Sequence, residues 1–115
     1  MVWTPTPAHL AVEHEDLEAL RRLLDSGADI QDPGEDGFTL LHHAIDIEAD
    51  GATQTGEPLT VGITALLLSR GADPHAHTRD GLTPLDLAQR MRHTLAVELL
   101  HDLLMSAQKP EGSTS

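Results

Sequence analysis

The sequence predicts an all-α solenoid, in which helix-turn-helix units stack side by side and turn or finger segments connect them. Two observations predict this fold class: the chain repeats itself at a fixed period, and it contains almost no aromatic residues. Its 115 residues include one Trp, one Phe and no Tyr. Solenoids fill their cores with leucine and alanine side chains shared between neighbouring repeats, so this composition suits them.

Two short motifs carry the repetition. A tetrapeptide occurs at Thr6–His9, Thr39–His42 and Thr83–Asp86, where it reads TPAH, TLLH and TPLD. The tripeptide GAD occurs at Gly27–Asp29 and again at Gly71–Asp73. The first two tetrapeptides are 33 residues apart, whereas the last two, like the two tripeptides, are 44 residues apart. A period of 33 with 11 extra residues in the second copy explains both separations.

Each copy is expected to form two helices. Thr6 and Thr83 are suited to cap a first helix with their hydroxyl oxygens, and the proline that follows each of them needs no N–H at that position. Gly27 and Gly71 follow the second helices, where a residue without a Cβ can end a helix in the left-handed conformation. The predicted helices span residues 7–13 and 16–26, 40–48 and 59–70, and 84–91 and 94–105.

Apolar residues at helical spacing give these helices one apolar stripe each, which a neighbouring repeat has to cover. The expected core is drawn from these stripes. It consists of Leu10, Ala11, Leu20, Leu23, Leu24, Leu41, Ala44, Ile63, Leu67, Leu85, Ala88, Val97 and Leu100.

The extra residues of the second copy are expected to form a loop between its two helices. Residues 49–58 are small and polar, and Gly51, Gly56 and Pro58 interrupt them. Loops of this length inside compact domains are often functional, but exposed connections also tolerate insertions well. The sequence favours a functional loop slightly and leaves both interpretations open.

The charge of the chain excludes several kinds of partner. Nineteen acidic and seven basic residues give a formal net charge of −12. This charge repels phosphate backbones and anionic lipid surfaces, so neither nucleic acid nor a membrane is expected as a partner. Twelve of the acidic residues but only two of the basic ones lie in residues 1–50, so the acidic field belongs to the first half of the chain.

Motifs of catalysis and targeting are missing from the sequence. There is no cysteine, and residues 1–10 lack the basic and apolar regions of a signal peptide. No apolar run approaches the ~20 residues that span a bilayer, so a cytoplasmic protein is expected. No nucleophile elbow, phosphate-binding loop or zinc-protease helix motif is present. We therefore predict neither an enzyme nor a bound cofactor or metal.

Taken together, these motifs and their spacing resemble the ankyrin repeat over residues 4 to about 104. The resemblance implies one domain, 1–105, with repeats near 4–36, 37–80 and 81–105, followed by a flexible tail at 106–115. Two positions depart from the family motif: Leu40 replaces its proline and Asp86 replaces its histidine. Six arginines against one lysine suggest a genome rich in G and C. Small stand-alone ankyrin proteins of bacteria look similar, and some of them act as inhibitors or immunity factors.

The resemblance implies a non-catalytic module that binds another protein through a concave face made of turn tips and first helices. It places His9 and His42 at the motif histidine, which helps to hold adjacent turns by hydrogen bonding. The acidic first half favours a partner with a basic surface. The positions implied for partner binding are Trp3, Glu35, Asp36, Phe38, Asp46, Ile47, His77, Arg79, Asp80, Leu82, Arg90 and Met91.

Some of these residues allow other interpretations. Trp3 could equally cover the core of the first repeat, and Phe38 could pack on the preceding turn, leaving the carboxylates beside it to serve solubility. His75 and His77, with Asp73 and Asp80 nearby, allow a small metal-binding or enzymatic protein as the alternative function. Surface histidines are the expected interpretation, because paired motifs of this kind carry a high false-positive risk.

Overall fold

The computed structural model describes residues 6–32, 34, 37–56 and 59–108. This part of the chain contains helices and no strands. The helices are α1 (Pro7–Glu13), α2 (Leu17–Asp25), α3 (Leu40–Thr55), α4 (Gly62–Ser69), α5 (Pro84–Arg90) and α6 (Thr94–Gln108). Consecutive helices pack as pairs, and the first helices of the pairs stack in the order α1, α3, α5. The predicted all-α solenoid is confirmed.

Threonine caps fix the start of each first helix. The Oγ1 atoms of Thr6, Thr39 and Thr83 each accept the backbone N–H three residues later, as the sequence predicts for Thr6 and Thr83. Leu40 in place of the motif proline does not shift the start of α3. Asp86 in place of the motif histidine accepts the Thr83 N–H at 3.2 Å, so it completes a reciprocal cap at α5.

Most of the predicted core is buried between the helix pairs. Ala11, Leu20, Leu41, Ala44, Ile63, Leu67, Ala88 and Leu100 are buried, and Leu23, Leu24, Leu85 and Val97 are partly buried against them. The prediction for Leu10 is wrong, since its side chain is 43% exposed. On the seven-residue helix α1 the buried positions are Ala8, His9, Ala11 and Val12, so Leu10 points away from the core.

The predicted loop at 49–58 is wrong for most of its length. Helix α3 continues through this segment to Thr55, and Gly56 ends it with φ 73° in the left-handed conformation. Sixteen residues make α3 about 24 Å long, against about 10 Å for the seven-residue α1 and α5. The insertion is therefore largely an extension of the middle first helix, and Glu57 and Pro58 lie outside the described residues.

Two other predicted boundaries also move. Helix α4 begins at Gly62 rather than at residue 59, because a side chain from α3 caps it there. Helix α6 continues to Gln108, so residues 106–108 are helical rather than part of a flexible tail. Residues 109–115 lie outside the described part of the chain.

A buried carboxylate on α3 supplies the cap that α4 lacks in its own sequence. Val61 precedes α4 and has no side-chain hydrogen bond to offer. Glu48 Oε2 instead accepts the backbone N–H groups of Ile63 at 2.9 Å and Thr64 at 3.2 Å. Glu48 Oε1 accepts the Thr64 hydroxyl at 2.7 Å and His93 Nε2–H at 2.9 Å. Four donors thus converge on one carboxylate that solvent hardly reaches.

His93 connects this cap to the third helix pair. It lies in the turn just before α6, is fully buried, and accepts the Ala96 N–H on Nδ1 at 3.2 Å. One imidazole therefore caps α6 with one nitrogen and holds Glu48 with the other.

The described helices include none with the length and hydropathy to cross a membrane.

Candidate partner-binding surface

The repeat register places two rows of three residues along the first helices. Counting from Thr6, Thr39 and Thr83, the seventh following positions are Glu13, Asp46 and Arg90, and the eighth are His14, Ile47 and Met91. Because α3 packs against both α1 and α5, each row runs across the stack. Ile47 and Met91 are partly buried against the core, while Arg90 is exposed.

Phe38 stands immediately before the cap of α3 and is partly buried. Its ring lies 5.4 Å from that of His42 and 6.0 Å from that of His43, edge to face with the latter. These contacts hold one part of the ring and leave another part accessible. Phe38 is therefore not fully buried in the free chain.

His42 ties the second repeat to the turn of the third. Its Nε2–H donates to the Leu82 carbonyl at 2.8 Å, and the same carbonyl accepts the Thr78 N–H at 3.0 Å. On the other side of the ring, the Thr39 hydroxyl donates to Nδ1 at 2.9 Å. Burial lowers the pKa of His42 below its usual value, so the neutral ring that these bonds require is favoured. The structural role expected of this histidine is confirmed.

His43 and Glu13 join the face although the sequence prediction did not include them. His43 Nε2 lies 3.8 Å from Glu13 Oε2, which brings α3 and α1 side chains together. For Glu13 the repeat register was the available signal, because this residue is equivalent to Asp46 and Arg90. Glu48 and His93 were missed as a pair because they are 45 residues apart in sequence.

Asp46 sits beside this pair on α3 and is partly buried. Burial raises the pKa of its carboxyl above the usual value, His43 counteracts this and Asp50 reinforces it. Within the described residues, no hydrogen bond or ion pair involves the Asp46 side chain. His43 offsets only part of this desolvation, and an external cation would relieve the rest.

The turn that precedes the third repeat closely approaches the turn that precedes the second. A Cβ on Gly37, which has φ 80°, would lie 3.0 Å from Thr78 Cα. His77, Arg79 and Asp80 are exposed in this turn, and Leu82 is partly buried behind them. Trp3, Glu35 and Asp36 lie outside the described residues.

His75 and His77, on which the alternative metal-binding function depends, do not lie in a cluster of metal ligands among the described residues. His75 and His77 are exposed, and the His75 N–H donates to Asp73 Oδ1 at 2.8 Å in a local turn. Among the residues whose positions are described, no group of three or more His, Asp or Glu side chains is arranged to hold a metal ion.

Stacked helix pairs are the defining feature of helical-repeat solenoids. This chain has such a stack, with capped first helices and close turns between the pairs. The family model described as ankyrin repeats (many copies) matches residues 8–48, and the ankyrin repeat model matches residues 36–79. The chain belongs to the ankyrin repeat family. Ankyrin repeats are generally non-enzymatic modules of protein–protein interaction.

Relatives of the chain include much longer proteins. Neurogenic locus notch homolog protein 4 of Homo sapiens is 41% identical over 103 residues, which is 90% of this chain and 4% of that protein. The Neurogenic locus Notch protein of Drosophila melanogaster is 37% identical over 100 residues, 86% of this chain and 3% of that protein. The chain thus spans about 4% of the length of the curated relatives it matches.

Proposed function

We propose that this chain is a non-catalytic binding module that presents its concave face to a partner protein. One observation carries the proposal: Phe38, Ile47, Leu82 and Met91 are only partly buried at these positions, whereas Leu20, Leu41, Leu67 and Leu100 between the helix pairs are fully buried. Half-buried aromatic and aliphatic side chains on a rigid support are typical anchors of protein interfaces.

The partner in this proposal has a basic surface. Support comes from the net charge of −12 and from its concentration in the first half of the chain. Such a field would attract a basic protein and repel nucleic acid or anionic lipid. The binding would take place in the cytoplasm, as expected from the sequence.

Binding of this kind would serve an inhibitor or immunity-type regulator if the face covers a functional site of the partner. The full chain, used as bait in extract of its native cell, would identify candidates by mass spectrometry. The purified partner is then assayed for its own activity with and without the chain. Inhibition would support the regulatory role, and unchanged activity under saturation would argue against it.

The same purified partner tests which surface is used. Phe38→Ala should speed dissociation, because it removes contact area at the interface. Leu95→Ala is the matched control, since Leu95 is an exposed leucine on the second helix α6. Loss of affinity in the Leu95 variant with none in the Phe38 variant would place binding on the opposite side. A rise in melting temperature with zinc, lost when His75 and His77 are replaced, would favour the metal-binding alternative.

A further inference from the structure

The row formed by Glu13, Asp46 and Arg90 carries an ordered set of charges. These residues occupy the same position in three repeats, and α3 lies between α1 and α5, so the row reads acid, acid, base across the stack. Neither the Asp46 nor the Arg90 side chain forms an ion pair or hydrogen bond within the described residues. Both charges are thus available to a bound molecule.

The two carboxylates at the acidic end of the row are not simply solvated. Glu13 lies 3.8 Å from His43, whose ring stacks edge to face on Phe38. Asp46, on the same side of α3, is partly buried and unpaired. A guanidinium or ammonium group placed here would meet the carboxylates of Glu13 and Asp46.

Apolar residues occupy the positions that directly follow two members of the row. Ile47 and Met91 are partly buried and directly follow Asp46 and Arg90 in sequence. They give a bound segment surface area to cover while the charges fix its direction. Charge pairs of this type contribute orientation and specificity more than total affinity.

We propose that the concave face selects a partner segment with a basic residue over Glu13 and Asp46 and an acidic residue over Arg90. This inference rests on the proposed function and adds a direction of binding to it. Neighbouring packed helices are about 8–10 Å apart, and an extended chain advances about 3.3 Å per residue. A basic residue between Glu13 and Asp46 lies about one and a half helix spacings, roughly 12–15 Å, from Arg90, so the basic and acidic residues of the segment should be about four residues apart.

A random dodecapeptide library displayed on phage tests the inference with the full chain as target. The unmodified chain should enrich peptides that carry a basic and an acidic residue at that spacing, in one fixed order. Asp46→Lys should weaken the enriched peptides at least tenfold, and Asp46→Asn should weaken them less. Arg90→Glu should remove the preference for the acidic residue alone. Glu98→Lys, an exposed position on α6, is the control and should change neither preference.

The outcomes separate the inference from the proposed function. If the enriched peptides bind the Phe38→Ala variant less tightly but show no fixed order of basic and acidic residues, the inference is overturned and concave-face binding is left intact. Peptides indifferent to Phe38→Ala, Asp46→Lys and Arg90→Glu, or no enrichment at all, would count against both. Circular dichroism of each variant confirms that it is folded, and the conservative Asp46→Asn keeps the test decisive if Asp46→Lys unfolds the chain.

Discussion

Arg92 occupies a backbone conformation that side chains with a Cβ rarely adopt. It has φ 60° in the turn between α5 and α6, and Glu15 has φ 53° in the equivalent turn between α1 and α2. The left-handed conformation costs a non-glycine residue roughly 1–2 kcal/mol. Both turns therefore store strain that a glycine would remove.

Arg92→Gly is predicted to leave stability unchanged or to raise the free energy of unfolding by up to about 1 kcal/mol, as lost strain offsets the greater freedom of glycine in the unfolded chain. Gln89→Gly is the control, an exposed position in α5 where glycine should cost about 1 kcal/mol. Urea denaturation measures both. Equal destabilisation by the two substitutions would contradict the assignment of strain at Arg92.

The buried motif histidines make stability depend on pH. Burial lowers the pKa of both His9 and His42, so the unfolded chain takes up their protons first as pH falls. Their contribution is complete above the ordinary histidine value of 6.5 and is lost progressively as pH falls below it toward the folded values. We predict a decreasing free energy of unfolding between pH 7.5 and 5.5.

Replacement of His42 isolates its share of this effect. His42→Gln should flatten the pH dependence and, at pH 7.5, cost about 1–2 kcal/mol for the disturbed bond to the Leu82 carbonyl. His9→Gln should also flatten it. Denaturation curves at three pH values give the slopes, and slopes unchanged in both variants would refute the prediction.

At the scale of the helix, Glu48 is the side chain on which the second repeat depends. Glu48→Ala should lower the free energy of unfolding by about 3 kcal/mol or more, because it leaves buried donors of α4 and His93 without an acceptor. Glu48→Gln should cost about 2 kcal/mol, since its amide would set a donor against donors. Glu98→Gln on the exposed side of α6 should stay within about 0.5 kcal/mol of the unmodified chain.

Amide hydrogen exchange gives a local measurement of the same cap. The N–H groups of Ile63 and Thr64 should exchange faster in Glu48→Gln, while those inside α1 keep their protection. Unaltered exchange at these two amides would show that Glu48 does not cap α4.

Two glycines in the extension of α3 should respond to alanine with opposite signs. Gly51 lies inside the helix, and an added Cβ would meet only Glu15 Oε2 at 3.6 Å, an ordinary contact. Gly51→Ala should therefore stabilise the chain by about 0.5–1 kcal/mol. Gly56→Ala should destabilise it by about 1 kcal/mol, because the left-handed end of α3 suits glycine. Thermal denaturation of the two variants is enough, and a shift in the same direction for both would mean that α3 does not extend through Gly51.

The elements could be predicted from sequence wherever a local signal exists. Thr6, Thr39 and Thr83 mark the helix starts, and the repeat spacing gives the stacking order. The extension of α3 could not be predicted, since small polar residues with two glycines have the composition of a loop. The late start of α4 depends on Glu48, a contact between distant residues that no local pattern reveals.

At the scale of the molecule, the repeat register predicts positions for a candidate binding face but not the contacts between its side chains. In the structure, Asp46, Ile47 and Arg90 lie on the first helices, and Phe38 and Met91 lie within two residues of the ends of these helices. The pairing of Glu13 with His43 depends on the side chains of two repeats meeting, and the sequence does not show which rotamers achieve that. The partner itself has no signature in the fold, because the family supports many partners.

Association with a basic partner should be governed by charge at long range. Glu35→Lys with Asp36→Lys should slow association severalfold and leave dissociation nearly unchanged, and the association rate of the unmodified chain should fall as salt shortens the screening length. Glu98→Lys with Asp102→Lys is the matched control, since it changes the net charge equally at exposed positions on α6. Stopped-flow or surface plasmon resonance supplies the rates. Equal slowing by the two pairs would assign the effect to net charge alone.

The bond between Glu48 and His93 also bears on how the array folds. In a linear array of repeats, stability is approximated by each unit's own free energy plus a coupling to its nearest neighbours. Here a cap that belongs inside the second unit is completed by a side chain of the third. Removal of the third unit would therefore lower the intrinsic stability of the second as well as the coupling between them. Such an arrangement disfavours partly folded species with two units formed and promotes unfolding as a single cooperative step.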